Sequence, residues 1–385
     1  MKNVLLISQD SVLYGAPKSM LNIIDGLKDK VNFTVLVPYE GELVDELNKR
    51  NIKVYISRFY WGEYFLNSFK DYLLLLFRMA RYYFGFFKTY FLIKKLHSQQ
   101  TFDIIHSNSG VVRVGFVSSR LLNIKHVWHV REFQTLDYQI NILYGLTHLK
   151  KLMTKSEKTI CVSNAIKNYF ELEGNSTVVY NGVMPIPNKK IIFDKDNYFI
   201  FASNLSVKKG IFDVLSAFKA FAQNNVSTEL LICGTGSPEI TKSIQKYIEV
   251  ENLSDRVKLL GYRNDVLTLL SSAKACFMAS HNEAFGRTTA EAMFMGCSVI
   301  GKSSGGTLEI IQSKKFGFLY NTISEMSNCM EEVVDVENTD MVNNIIDNAF
   351  ERAVQLYSQE QLCNKVLEVY ETLNNPKLDI EKRTN

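Results

Sequence analysis

Short runs of aliphatic and β-branched residues, each followed by a longer amphipathic stretch, recur along the 385-residue chain, and this alternation limits the fold more than any other feature. Val4 to Ser8 comes first, then a helical pattern near Lys18 to Asp29, Phe33 to Pro38, a helix near Leu43 to Arg50, Lys53 to Ser57, a long aromatic helix, and Asp103 to Asn108. Runs that are apolar throughout belong to strands buried on both faces. Connections long enough to hold a helix make neighbouring strands parallel. The rhythm pauses after Asn181-Gly182, where Val183 to Tyr198 holds Pro185, Pro187 and an aperiodic set of lysines and aspartates. It resumes with Tyr198 to Ser203, Glu229 to Gly234, Val257 to Gly261, Ala275 to Ser280 and Ser298 to Ser303. The expected class is α/β, with one doubly wound domain over residues 1–182 and a second over 183–360. Residues 361–385 are expected to form a helix that packs back toward the first domain.

Composition narrows the function classes. Hydrophobic residues at 46% and charged residues at 22% describe a globular chain rather than a disordered or fibrous one. The six cysteines are widely spaced, never as C-x-x-C, which argues against zinc and against a disulfide framework and fits reduced thiols in a cytoplasm. The first apolar run is too short for a secretory signal. A net charge of +4 gives no reason to expect nucleic acid, but residues 1–182 carry 23 Lys+Arg against 15 Asp+Glu while the remainder carries 21 against 25. Much of that basic excess lies in the aromatic stretch from Phe59 to Leu96. At about 100° per residue, Lys70, Arg78, Arg81, Lys88 and Lys95 share about a third of a helix circumference, with Leu76, Met79, Tyr83, Phe87 and Tyr90 opposite. The charges make it a poor membrane span. Two readings stay open: a basic amphipathic helix lying on an anionic membrane, or a sheet-covering helix with a solvated basic face, which Gly85 would weaken if it stood alone.

The stretch from Ser280 to Ile311 carries the most chemical information. Glu283 follows the run Ala275 to Ser280, and Glu291 lies eight residues on, within a helix expected to begin near Arg287. If wholly helical, that spacing is about 12 Å along the axis, so a glycosidase acid/base pair does not follow from it. Instead one carboxylate sits at the carboxyl edge of a sheet, where open α/β folds bind ligands, and the other a turn into the next helix. The amides of Phe285, Gly286 and Arg287 at that helix start can receive an anion or sugar hydroxyls. Two further patterns are discounted. Gly296 to Ser303 fits G-x-x-x-x-G-K-S, but Ser298-Val299-Ile300 reads as a strand where a phosphate loop needs a turn. Gly234-Thr235-Gly236 lacks the third glycine of a dinucleotide fingerprint, so NAD is not expected.

With its flanks, Glu283-Ala-Phe285-Gly286-Arg287-Thr-Thr-Ala-Glu291 resembles the signature of glycosyltransferase family 4, retaining enzymes of the GT-B fold. Gly296-Cys-Ser298-Val-Ile300, with Ser where the family usually has Pro, and Gly305-Gly306-Thr-Leu-Glu309 continue the likeness. Tyr14-Gly15-Ala16, Val179 to Val183, Ser203 to Gly210 and Leu259 to Tyr262 match the family's other motifs in the same order. The resemblance implies two Rossmann-like domains facing across a cleft, and transfer of a sugar from a nucleoside diphosphate donor. The acceptor would be a glycan or lipid-linked glycan, as in the synthesis of bacterial surface polysaccharide. The enzyme would be cytoplasmic or held at the inner membrane face.

By the same resemblance, Lys209 holds the diphosphate, Glu283 lies by the donor sugar, Glu291 binds the ribose and Tyr262 lies near the base. Gly15 would bring backbone amide to the phosphates, and His129 would face the reacting sugar from the first domain. His129, Glu283 and Lys209 are thus the candidate catalytic residues. Phe285, Gly286 and Arg287 join the donor site, and Arg131 and Glu132 are candidate acceptor contacts. Asn204 stands where the family usually has Arg, which removes one expected phosphate clamp. No metal is expected, because cationic side chains and backbone amides can meet the leaving charge. A nucleotide-sugar epimerase, a phosphorylase and a non-catalytic nucleotide-sugar-binding protein are the alternatives.

Overall fold

The computed structural model describes residues 1–64, 69–138, 141–187 and 195–373; the side chain of Lys70 and part of the stretch between Val183 and Tyr198 lie outside the described residues. The chain divides into two compact units, Met1–Gly182 with Gln359–Asn385, and Val183–Ser358. Each is built on a parallel sheet.

In the first unit the strands are β1 (Lys2–Ile7), β2 (Val31–Val37), β3 (Lys53–Ile56), β4 (Glu63–Tyr64), β5 (Ile104–Ser107), β6 (Lys125–Val130), β7 (Asn141–Ile142), β8 (Lys158–Cys161) and β9 (Ser176–Val178). Seven of them form one sheet in the order β3-β2-β1-β5-β6-β8-β9, and β4 pairs antiparallel with β7 beside it. Val4, Leu6, Val35 and Val127 on these strands are fully buried against Met20, Ile23 and Ile24 of the helix Gly15–Leu27. The terminal helix Gln359–Thr372 adds Leu362, Val366 and Tyr370 to the same cluster. Gly26 permits this packing, since a Cβ there would sit 2.4 Å from the Cys363 sulfur.

The second unit holds β10 (Tyr198–Ala202), β11 (Glu229–Cys233), β12 (Val257–Gly261), β13 (Ala275–Met278), β14 (Ser298–Lys302) and β15 (Phe318–Tyr320), in the order β12-β11-β10-β13-β14-β15. Phe199, Phe201, Phe218, Phe221 and Phe277 fill its core, each worth about 2–3 kcal/mol of apolar burial. Ser298–Lys302 is a strand, so the phosphate-loop pattern is excluded on geometry. All six cysteines are buried free thiols.

The long helix Phe69–Gln99 belongs to the first unit. Tyr82, Gly85, Thr89, Ile93 and Leu96 form its inner face, and the last two pack with Leu5, Ile7 and Phe102. Thr89 meets Ser57 through a hydroxyl hydrogen bond of 2.8 Å. Leu76 and Phe87, which the helix period sets opposite the cations, point outward as well. The face turned to solvent is therefore aromatic as well as basic, and Gly85 is the point of closest approach: a Cβ there would lie 2.7 Å from the Arg58 carbonyl oxygen.

Candidate functional site

In the second unit the strand order reverses between β10 and β13, and ligands of open α/β sheets bind at the carboxyl edge beside such a reversal. Four loops gather there, after β10, β11, β13 and β14. Backbone hydrogen bonds tie them together: Leu205 N to Thr235 O at 2.8 Å, His281 N to Lys208 O at 3.0 Å, and Gly306 N to Glu283 O at 2.7 Å. Glycine is required at two crossing points. Gly210 has φ +74° and its absent Cβ would lie 2.2 Å from the Ala279 oxygen, while a Cβ on Gly306 would lie 2.5 Å from the Phe285 oxygen.

These ties bring the sequence motifs together. Ser206 caps the single turn Val207–Lys209, its hydroxyl accepting from the Lys209 amide, and so fixes where the lysine starts. The Lys209 ammonium then reaches Glu283 Oε2 at 2.9 Å, with the lysine side chain 34% and the glutamate 16% exposed. One turn into the helix Arg287–Phe294, Glu291 accepts from the Arg287 guanidinium at 3.2 Å. Phe285 is buried, edge-on to Tyr357 at 5.6 Å, so its ring anchors the loop and only its backbone is available to a ligand. Gly286, at φ +97°, turns the chain into the helix. Asn204 is exposed in the loop after β10, and Tyr262 is 78% exposed just past β12. The result is an edge that gathers the Lys209 ammonium, the Glu283 and Glu291 carboxylates, the Arg287 guanidinium and turn amides.

Gly15, His129, Arg131 and Glu132 belong to the first unit. Gly15 opens the helix after β1 and is exposed. His129 lies near the end of β6, fully buried and stacked on His106 of β5 with ring centroids 5.4 Å apart. The hydrogen bonds around it admit one proton arrangement. Arg131 Nη2 lies 3.2 Å from His129 Nδ1, and a guanidinium only donates, so Nδ1 is an acceptor. His106 Nε2, 3.3 Å from the same atom, must then carry its own proton, and His106 Nδ1 must accept from the Tyr370 hydroxyl at 2.6 Å. His129 Nε2 is left bearing hydrogen, with no partner among the described residues. Burial, aided by the Arg131 charge, pushes His106 down to about 3 and His129 well below the usual histidine range, so both rings are neutral.

Arg131, expected at the acceptor, is buried and its guanidinium also binds Asn108 Oδ1 at 2.9 Å and Asn181 Oδ1 at 2.6 Å. Its position makes it the residue that orients His129. Glu132 accepts from the Ser109 hydroxyl and from Gly110 N at 3.2 Å, bracing the loop after β5. Sequence reasoning missed His106, Tyr370, Asn108 and Asn181. It also missed Gln134, which is buried at φ +63° with neither amide atom partnered among the described residues. Only Asn181, in the Asn-Gly at the end of the first unit, carried a local signal. His126, by contrast, is structural, bonded to Ser107 at 2.9 Å and Ser156 at 2.8 Å. Among the described residues no three His, Cys, Asp or Glu side chains come together as a metal site.

Two parallel-sheet units of this kind, one carrying glycine-tied loops around Lys209, Glu283 and Glu291, define a glycosyltransferase of the GT-B class. Residues 15–185 match the family model described as Glycosyltransferase Family 4, and residues 185–352 match the one described as glycosyl transferases group 1; the chain belongs to this family. An uncharacterised glycosyltransferase of Methanocaldococcus jannaschii is 25% identical over 290 residues, covering 73% of this chain and 79% of that protein. The Escherichia coli UDP-Gal:alpha-D-GlcNAc-diphosphoundecaprenol alpha-1,3-galactosyltransferase is 21% identical over 301 residues, covering 72% and 77%. Among solved structures, Anabaena HepE in complex with UDP-glucose superposes with a TM-score of 0.78 at 21% identity, over 97% of this chain and all of that one.

Proposed function

We propose that this protein is a retaining hexosyltransferase that moves a sugar from a nucleoside diphosphate donor to a hydroxyl of a glycan or lipid-linked glycan, in the assembly of bacterial surface polysaccharide. The observation that carries the proposal is the Lys209–Glu283 pair at the carboxyl edge of the second sheet, beside Arg287–Glu291. In the reaction the bond from the anomeric carbon to the β-phosphate oxygen breaks, a bond to the acceptor oxygen forms on the same face, and the acceptor proton passes to the leaving phosphate. Negative charge grows on that phosphate. Lys209 meets it, together with the amides of the Gly286 turn. Glu283 and Glu291 are acceptor-rich groups suited to sugar and ribose hydroxyls, and Tyr262 offers an exposed ring to a base. His129 Nε2–H is assigned to the transferred sugar. Resident metal is given no part in this scheme, and activity is expected to persist in EDTA.

The diphosphoundecaprenol-linked acceptor in the E. coli relative's name supports the acceptor class, and the UDP-glucose bound to Anabaena HepE supports the donor class. Six reduced thiols support a cytoplasmic setting. The test is a thermal-shift screen of UDP-, GDP-, ADP- and dTDP-sugars, followed by turnover of the stabilising donor with a lipid-linked acceptor extract. Transfer of sugar to the extract is expected. Free epimer or sugar phosphate instead would indicate an epimerase or phosphorylase, and binding without turnover a non-catalytic binder.

A further inference from the structure

The outer face of the helix Phe69–Gln99 is an uncovered aromatic stripe. Phe77, Phe84 and Phe91 recur every seven residues, so they lie nearly in line over about 21 Å of helix. They are 63%, 74% and 61% exposed, and Leu76 and Phe87 extend the stripe on one side. Cations flank it: Arg81, Lys88 and Lys95 along one edge and Lys94 along the other, all exposed. From Tyr72 to Gln99 the sequence contains no Asp or Glu. Beside the stripe, Arg78 and Arg81 line a cavity of about 220 Å³ with Tyr60, Gly62, Glu63 and Tyr82. Arg78 pairs with Asp71 at 3.4 Å, and Arg81 stacks on the Tyr60 ring at 4.3 Å.

We propose that this face docks on the surface of an anionic lipid bilayer, with the phenylalanines inserted among the acyl chains and the cations at the phosphates. Isolated apolar residues on a surface need no explanation, but an aromatic row of this length edged by one sign of charge does. A second copy of the chain would bring the two sets of cations together with no acid to meet them. An anionic membrane supplies both the apolar layer and the opposite charge. The helix lies on the bilayer rather than through it: among the described residues no helix is long and apolar enough to cross. This inference rests on the helix alone and stands or falls separately from the donor site.

The full-length protein is to be sedimented with vesicles of equal parts phosphatidylglycerol and phosphatidylcholine, and with phosphatidylcholine alone. Binding is expected to the first at low salt, weakly or not at all to the second, and to fall steeply as salt rises. The triple variant Phe77→Ser, Phe84→Ser, Phe91→Ser should lose vesicle binding. The variant Arg81→Gln, Lys88→Gln, Lys95→Gln should lose on the order of a hundredfold in partition and most of the salt dependence. A wild-type far-UV circular dichroism spectrum and a cooperative urea transition would show that both variants remain folded. Wild-type protein that stays in the supernatant with anionic vesicles at low salt would overturn the proposal. So would undiminished binding by both variants, or a wild-type dimer in sedimentation velocity that the phenylalanine variant dissolves.

Discussion

Replacing Lys209 by Ala separates a ligand-binding lysine from a structural one. Its ammonium is held 2.9 Å from Glu283 Oε2, but about a third of the lysine side chain meets water. A pair that exposed contributes only about 0–1 kcal/mol to folding, so the variant should unfold at nearly the wild-type urea concentration. A bound diphosphate presents a denser negative charge, and removing the lysine there deletes a charged hydrogen bond worth about 1.5–3 kcal/mol. Donor Kd should therefore rise by about tenfold to a hundredfold, read by titration calorimetry with the nucleotide sugar that the thermal screen selects. Glu283→Gln is the companion. It frees the ammonium, so affinity for the bare nucleoside diphosphate should hold or improve while affinity for the sugar-bearing donor falls. Unchanged donor affinity in Lys209→Ala, or a stability loss above about 2 kcal/mol, would refute the assignment and return the pair to a purely structural role.

Other perturbations test the supports of the site. Gly306→Ala should lower donor affinity as well as stability, by about 1–3 kcal/mol for the latter, because the new methyl meets the Phe285 backbone rather than a movable side chain; an unaffected donor Kd would show that the Glu283 loop need not hold this position. Tyr370→Phe leaves His106 Nδ1 without its donor and should cost about 1–3 kcal/mol of stability, while the His129 tautomer, which Arg131 fixes, should keep kcat near the wild-type value; a fall in kcat would show that Arg131 alone does not set that tautomer. Burial holds His106, His126 and His129 below their ordinary value, so below about pH 6.5 the unfolded chain takes up protons that the fold refuses. Stability should be complete above that pH and decline on acidification, by at most about 1.4 kcal/mol per pH unit per histidine, on the way to the folded values, about 3 for His106. Urea midpoints at about pH 7.5 and about pH 5.5 check this, and a flat profile would contradict neutral burial.

The parallel-sheet strands that the sequence announced were those with continuous apolar runs, such as Val4 to Ile7 and Phe199 to Ala202, because burial on both faces leaves a pattern that needs no knowledge of neighbours. The loops of the second unit were legible for a related reason. Glycines that must cross backbone, as Gly210 and Gly306 do, stand in the sequence beside the carboxylates and lysine they position. The histidine relay was not legible, since Tyr370 lies 264 residues from His106 and nothing local marks either as a partner. The surroundings of Arg131 were not legible because an arginine after a strand looks the same in sequence whether it reaches a ligand or is surrounded by Asn108, Asn181 and His129. In the helix Phe69–Gln99, aromatic residues lie all round, so periodicity alone did not say which arc turns inward. Gly85 carried that information, as a contact point rather than a weak one.

The anomeric configuration of the product tests the central claim most directly. With the donor chosen by thermal shift and a lipid-linked acceptor extract, the one-bond and vicinal couplings of the new anomeric proton in NMR report which face was attacked. An axial, α-linked product from an α-configured nucleotide sugar is the predicted result, absent in Lys209→Ala under the same conditions. A β-linked product from that donor would contradict retention and the roles given to Lys209, Glu283 and His129.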